Sequence, residues 1–305
     1  MFIRQLHYLV ALAHEKHFGR AAEICHVSQP TLSAGIRHLE EELGVQIVKR
    51  TQRFESFTAE GERVLAWAQR ILGDWDGLKQ EVREICGEPA GELRFGAIPT
   101  TLPIVSLLTA PCRARYPGIT HSILSLSSME IVKRIEAFEL DIGITYLESD
   151  ERPQFLELPL YRERYVLITR QSESLASRNS ITWLEAGDIP LCLLTSNMQN
   201  RRIIDAAFRQ AGVVPRIVVE TDSIFALYSH VRHGGLACVM PHSFLIIFRG
   251  QPEVAALPIT PLLSRQIGLL ALNREPPSAL VQAFKSLIKE IDLQGEIDRL
   301  IDTAY

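Results

Sequence analysis

The run from His17 to Val45, HFGRAAEICHVSQPTLSAGIRHLEEELGV, leaves a chain like this few choices of fold. Leu32, Ile36, Leu39 and Leu43 recur at spacings of four, three and four, which places them on one stripe of an α-helix facing a core. Ser28 stands where an N-cap is needed, Pro30 fits the first turn, where no intrahelical N–H is lost, and Gly44 supplies a stop. Upstream, FGRAAEIC reads as a short helix whose Ala21 and Ala22 let another helix approach closely. His26, Val27 and Ser28 leave room only for a tight turn. Two helices joined this closely form a helix-turn-helix.

The other stripe of the second helix carries Gln29, Ser33 and Arg37, with Ser28, Pro30 and Thr31 at its start. An amide, hydroxyls and a guanidinium in that half of a helix are groups that read base edges in a major groove. Gln29 suits adenine, Arg37 suits guanine or a phosphate, and Ser28, Thr31 and Ser33 reach either backbone or base. VQIVKRTQRFESF then reads as strand, polar turn and strand, a wing bringing Lys49, Arg50 and Arg53 to phosphates or a minor groove. The net charge of −4 and pI of about 6.2 mean that any nucleic-acid contact comes from a local patch. Arg4, Arg20, Arg37, Lys49, Arg50 and Arg53 supply one, while Glu40, Glu41 and Glu42 fall at the far end of the second helix. The bland alternative is a helical hairpin with a polar surface.

From Thr58 the pattern becomes one long helix, with Thr58 as N-cap and Glu60 and Glu62 near its positive end. Val64, Ala68, Ile71, Trp75, Leu78, Val82 and Ile85 alternate spacings of four and three, a heptad seam that calls for a partner helix. Packing within the chain is the alternative. No second long helix lies nearby in sequence, so the seam points to a dimer, which would set two recognition helices about 34 Å apart. CGEPAGE closes the helix with a linker.

The helix-turn-helix run, the basic wing and FTAEGERVLAWAQRIL, with Thr58 and Gly61 in a T-x-x-G opening, resemble a LysR-type transcriptional regulator over nearly the whole chain. Gln46-Ile47-Val48 departs from the Pro-Leu-Phe-like run usual in that family, and Phe57 replaces a common Leu. The resemblance implies a sequence-specific regulator of double-stranded promoter DNA, a homodimer or homotetramer that contacts RNA polymerase. It also implies two α/β lobes, like a periplasmic binding protein, with a small effector, often a carboxylate, between them.

The remainder fits an α/β fold. ELRFGAI, HSILSLS and DIGIT read as strands alternating with the helices LPIVSLLTAPCRARYP and MEIVKRIEAF, and a second such set follows from RYVLITR to LACVMP. RQIGLLAL and SALVQAFKSLIKEI close the chain as strand and helix, and the alternation predicts a mostly parallel sheet. The expected domains are therefore a winged helix-turn-helix at 1–57, a dimerisation helix at 58–87 and an effector-binding domain at 91–305. Its first lobe takes about 91–162 and 266–305 and its second about 163–265, with crossings near Arg162 to Tyr165 and Leu263 to Gln266. Ligands in such folds bind beyond the carboxyl ends of strands, at helix N-termini. Thr100 and Thr101, Ser127 and Ser128, Thr195, Ser196 and Asn197, and Thr221, Asp222 and Ser223 occupy such loops. Hydroxyls and amides gathered there favour a small anion, although each could be a simple cap. Arg201 and Arg202 could neutralise it, or could sit on a solvated helix face.

Other chemistries find less support. No stretch approaches the roughly 18 apolar residues of a membrane span, and the N-terminus lacks signal-peptide form, so a cytoplasmic protein is expected. The five cysteines, Cys25, Cys86, Cys112, Cys192 and Cys238, are scattered without metal spacing and read as reduced, mostly buried thiols. Peroxide-sensing members of the resembled family carry a reactive pair close in sequence, whereas Cys192 and Cys238 lie on separate apolar strands. His230, His233 and His242 lack a matching ligand and are expected on a helix or turn surface. With no GxSxG, P-loop or GxGxxG, no catalytic residue, cofactor or metal is assigned. The rival readings are a redox sensor on the same scaffold and a small-molecule-binding or enzymatic domain with an incidental DNA-binding head.

Overall fold

The computed structural model describes residues 3–50, 54–85, 87, 89–147, 152–171, 178–248 and 253–302. The chain divides into two units, Met1–Gly87 and Glu88–Tyr305.

In the first unit, α1 (Ile3–Glu15), α2 (Phe18–Ile24) and α3 (Gln29–Leu43) are followed by the hairpin β1 (Val48–Arg50) and β2 (Phe54–Phe57), then α4 (Ala59–Ile85). Leu6, Leu9 and Leu12 of α1 meet Ala21 and Ala22 of α2, Leu32, Ile36 and Leu39 of α3 and Leu65, Ala68 and Leu72 of α4 in one core. Leu43 is the exception to the sequence pattern. It is 43% exposed, because it is the last helical residue before Gly44 enters the left-handed region at φ 68° and the chain turns away. The T-x-x-G opening of α4 has a steric cause. The Thr58 hydroxyl donates to the Gln46 carbonyl at 2.6 Å and accepts from the Gly61 N–H at 2.8 Å. A Cβ on Gly61 would collide with the Ile47 carbonyl, so only glycine lets α4 start against β1.

In the second unit, β3 (Gly91–Ala97), a 3-10 turn at Pro99–Thr101, α5 (Leu102–Arg115), β4 (Ile119–Ser125), α6 (Ser128–Glu136) and β5 (Ile142–Tyr146) form an alternating α/β run. The 16-residue strand β6 (Phe155–Arg170) follows, then β7 (Ile181–Thr182), α7 (Trp183–Gly187), β8 (Leu191–Leu194), α8 (Gln199–Gln210) and β9 (Ile217–Thr221). α9 (Ile224–His233), β10 (Cys238–Pro241), a 3-10 segment at His242–Phe248, β11 (Val254–Thr260), β12 (Ser264–Leu272), α10 (Ala279–Ile288) and α11 (Leu293–Asp302) complete it.

The main sheet has the order β4-β3-β5-β12-β6-β11-β7, with β10 also on β6, while β8 and β9 pair separately. β3 is parallel to β4 and β5, but β12 is antiparallel to β5 and β6, and β6 is antiparallel to β10 and β11. The sheet is thus mixed, which corrects the expectation of a mostly parallel one. A chain that leaves one lobe along β6 and returns beside it along β12 must run antiparallel to itself. β6 pairs with β12 up to Arg164 and with β10 from Tyr165, so one strand spans both lobes. The sequence pattern did not expose β11, α11 or the first half of β6. α11 buries Leu293 and Ile297 and accepts the Arg162 N–H at Gln294 Oε1, 2.9 Å away.

Candidate functional site

The reading face of the first unit is built by α3. Ser28 Oγ accepts from the Thr31 N–H at 3.3 Å and shares a 2.8 Å hydrogen bond with the Thr31 hydroxyl, so the helix start is capped from within. Ser28, Gln29, Pro30, Thr31 and Arg37 are exposed, and Ser33 is half-buried. Lys49 is exposed on β1, whereas Arg53 and the side chain of Arg50 lie outside the described residues. Arg20 pairs with Glu15 at 3.0 Å, which engages part of the basic patch within the unit. Glu40 ties α3 to the wing, since its Oε1 accepts the Ile47 and Val48 N–H groups at 2.9 and 3.0 Å.

The seam on α4 divides. Ala68 is buried in the unit's own core, with Val64 and Ile71 packed against it, so intrachain packing uses that half. Trp75, Leu78 and Val82 are 38%, 50% and 52% exposed, and the side chain of Ile85 lies outside the described residues.

The second unit holds a cleft between its lobes. A cavity of about 730 Å³ is lined by Ser128, Met129, Val132, Lys133 and Glu136 of α6 and its start, Thr145 and Tyr146 of β5, Arg152, Gln199, Arg202, Ile203 and Ala206 of α8, and Arg265 of β12. Of its described lining, Lys133, Arg202 and Arg265 stand against the Glu136 carboxylate, while Arg152 is paired with Glu157 at 2.8 Å, so the wall keeps a positive balance. Beside it lies a small chamber lined by Thr100, Ser127, Ser128, Tyr146, Met198, Gln199 and Asn200, with room for about one water. Tyr146 lines both spaces.

The sequence-predicted cleft residues separate by their partners. Thr101 donates to the Ile98 carbonyl at 2.9 Å, Ser127 forms a capping box with Glu130, and Ser223 caps α9. Thr195 bonds Asn197 at 2.7 Å, the Thr221 hydroxyl accepts from the Ser223 N–H at 3.1 Å, and Ser196 is exposed. Among the described residues, Thr100 Oγ1, Ser128 Oγ, Thr145 Oγ1 and Asn200 Oδ1 are buried without a hydrogen-bond partner. Arg201 is buried and engaged by Asp205 and Glu220, so the cleft cation of that pair is Arg202, exposed at the cavity wall. Tyr146 and Gln199 also stand at the end of a strand and the start of a helix, where the positional rule that selected Thr100 would have found them.

Where β6 crosses between the lobes, Glu163 is fully buried and burial pushes its carboxyl up to about 8. The Tyr161 hydroxyl donates to its Oε1 at 3.2 Å, and the Tyr146 and Tyr165 hydroxyls lie 3.2 Å apart. Asn200 Nδ2 donates to the Tyr165 hydroxyl at 3.3 Å. His242 is buried, contrary to the surface role expected from sequence. Its Nδ1 accepts the Arg164 N–H at 3.2 Å, and burial pushes its pKa down to about 4. Packing of the 242–248 segment on β6, invisible in sequence, decides this.

Cys112, Cys192 and Cys238 are buried and Cys25 is half-buried, with Cys86 outside the described residues. Burial pushes the Cys192 thiol up to about 11 and the Cys238 thiol well above its ordinary value. Among the described residues, no three His, Cys, Asp or Glu side chains converge as a metal would require, and no helix is long and apolar enough to cross a membrane.

Comparison with known proteins covers both units. The family described as LysR substrate binding domain matches residues 87–292, and that described as bacterial regulatory helix-turn-helix protein, lysR family, matches residues 3–62. The chain is 30% identical to the DNA-binding transcriptional dual regulator OxyR of Escherichia coli (strain K12), over 100% of both chains. It is 34% identical to a hydrogen peroxide-inducible genes activator of Haemophilus influenzae, over 99% of each. Among solved structures, a cysteine-to-aspartate variant of full-length OxyR from Pseudomonas aeruginosa matches with a TM-score of 0.77 and 27% identity over 97% of each chain. The fold is also that of CbnR complexed with its target DNA, at a TM-score of 0.67 and 22% identity over 95% of this chain and 99% of that one.

Proposed function

The chain belongs to the LysR family of DNA-binding transcriptional regulators, and from that premise we propose that a small organic anion seated between the lobes of its second unit controls how it acts at promoters. The observation that carries this reading is the cavity of about 730 Å³ whose wall bears Lys133, Arg202 and Arg265, beside the hydroxyls of Thr100, Ser128 and Thr145, which are buried without a partner among the described residues. Cationic groups at the wall meet a carboxylate, and buried hydroxyls complete its hydrogen bonds. Met129, Val132, Ile203 and Ala206 give the same cavity an apolar side for a carbon skeleton.

On DNA, Gln29, Thr31 and Arg37 meet base edges, and Ser28, Pro30, Ser33, Lys49, Arg50 and Arg53 set register on the backbone. Trp75, Leu78 and Val82 join two chains through α4, so two recognition helices face successive major grooves. Dimers pair further into tetramers, and the protein works in the cytoplasm. A ligand that bridges the lobes favours one arrangement of the assembly, which alters the spacing of the recognition helices and the approach of RNA polymerase. It shifts the balance only by its difference in affinity for the two arrangements.

The names of the relatives raise a redox reading. A peroxide-reactive cysteine needs an accessible thiol of lowered pKa. Buried Cys112, Cys192 and Cys238, each with a raised thiol pKa, support the ligand reading instead.

The reading is tested by selection of fragmented genomic DNA with the purified protein at fixed salt, with and without a panel of aliphatic and aromatic carboxylic acids, followed by sequencing. Enrichment of a few inverted repeats, with a footprint that one acid alters, is expected. A footprint altered by hydrogen peroxide, and insensitive to peroxide once all five cysteines are replaced by serine, would establish the redox reading instead. Uniform recovery without site preference would overturn both.

A further inference from the structure

The chamber beside the cleft offers donors to a space the size of one oxygen atom. It has room for about one water and shares Ser128, Tyr146 and Gln199 with the larger cavity, so small solutes reach it from the cleft. Among the described residues, the Thr100 and Ser128 hydroxyls in its wall are buried without a hydrogen-bond partner, and so is Asn200 Oδ1. Thr100 and Asn200 are buried residues, so bulk water does not satisfy them.

Met198 lines the same chamber and stands at a helix start without a cap. It is the N-cap residue of α8, where Ser, Thr, Asp or Asn would accept from the N–H groups of the first turn, and its side chain makes no capping hydrogen bond. A thioether is a weak acceptor, so sulfur stands where the surrounding donors call for oxygen. Met198 is half-buried, whereas Met240 is fully buried and Met129 is 59% exposed.

We propose that Met198 is an oxidation site: a hydroperoxide entering from the cleft converts its thioether to a sulfoxide, whose oxygen fills the chamber and accepts from Thr100, Ser128 and the start of α8. The sulfur lone pair attacks one peroxide oxygen, the S–O bond forms as the O–O bond breaks, and the sulfur gives up two electrons. With hydrogen peroxide, the departing oxygen takes the proton of the transferred one and leaves as water. The Thr100 and Ser128 hydroxyls donate to the oxygen on which charge develops, and Asn200 Oδ1 accepts the O–H of the reagent. A cysteine must first lose its proton to react, but a thioether has none to lose, so the burial that keeps the thiols inert does not silence Met198 in this way. Thr100 lies in the 99–101 turn and Ser128 begins α6, across the cleft from α8, so an oxygen fixed to Met198 and held by both would tie the two sides together. This goes beyond the ligand reading and does not depend on it.

The full-length protein is exposed to hydrogen peroxide at neutral pH, and the gain of one oxygen at Met129, Met198 and Met240 is followed by peptide mass spectrometry. Met198 should oxidise faster than Met129, despite the greater exposure of Met129. Ser128→Ala and, separately, Thr100→Val should slow Met198 and leave the rate at Met129 unchanged, with Met240 still protected as the sign that each variant is folded. Should Thr100→Val fail to fold, Ser128→Ala carries the comparison. The oxidised parent should unfold at a higher urea concentration than the reduced parent, and Met198→Leu should show no such rise after the same treatment. Met198 oxidising no faster than Met129, equal Met198 rates in the parent and the folded hydroxyl variants, or an oxidised parent no more stable than the reduced one would overturn the proposal. Each of those results leaves the regulator and ligand readings intact.

Discussion

Glu163 and His242 give the molecule opposite responses to pH. For Glu163, the unfolded chain is ionised above about pH 4.3 while the folded one keeps its proton up to about 8, so stability falls as pH rises through that window, by at most about 1.4 kcal/mol per unit. For His242, the unfolded chain is protonated below about pH 6.5 while the folded one stays neutral down to about 4, so stability is lost as pH falls through that window. The two overlap below about 6.5, leaving Glu163 alone between there and 8. Urea midpoints at about pH 6.5, 7.25 and 8 should therefore decline in the parent chain and decline less in Glu163→Gln. Equal slopes would mean that Glu163 is ionised in the folded state. At the DNA-reading face, Gln29→Ala and Arg37→Ala leave capping and core untouched. Each should cost about 1 to 3 kcal/mol of discrimination at one base pair, read by competition between operator variants at constant salt. Lys49→Ala should instead weaken all sequences alike and lower the salt slope by about 1.

Single elements carry two jobs at once. α4 gives Leu65, Ala68 and Leu72 to its own unit and leaves Trp75, Leu78 and Val82 exposed further along. A heptad spacing cannot tell these halves apart, because both a core and a partner helix accept the same stripe. Trp75→Ala should lower dimer affinity by about 2 kcal/mol or more, about 30-fold, in sedimentation equilibrium, with unchanged helix content by circular dichroism. An unchanged dimer constant would place the interface elsewhere. At the other end of the helix, Gly61→Ala forces a Cβ into the Ile47 carbonyl and should destabilise the first unit by about 1 to 3 kcal/mol. Thermal unfolding of the chain should show the loss in the transition of residues 1–87.

For the whole molecule, the net charge of −4 concealed a DNA-binding unit because charge is summed over the chain while binding is local. An acid found to alter the footprint should lose that effect in Arg202→Ala and Arg265→Ala, with operator binding in its absence preserved; loss of both together would place these residues in folding instead. The amino-acid sequence by itself determined the helix-turn-helix, the wing, the start of α4 and most of the succession of strands and helices, though not β11, α11 or the first half of β6. Those depend on spacing, caps and turns between residues a few positions apart, such as Ser28 with Thr31 and Thr58 with Gly61. Only the tertiary structure decided which hydroxyls were already spent on caps, as Ser127 and Ser223 are, and which, as Thr100 and Ser128, remain without a partner. It also turned Arg201 inward and Arg202 outward, buried His242, and buried Glu163 on the crossing strand with the Tyr161 hydroxyl donating to it. Burial and partnership are set by residues distant in the chain, and no local pattern encodes the water that their meeting excludes.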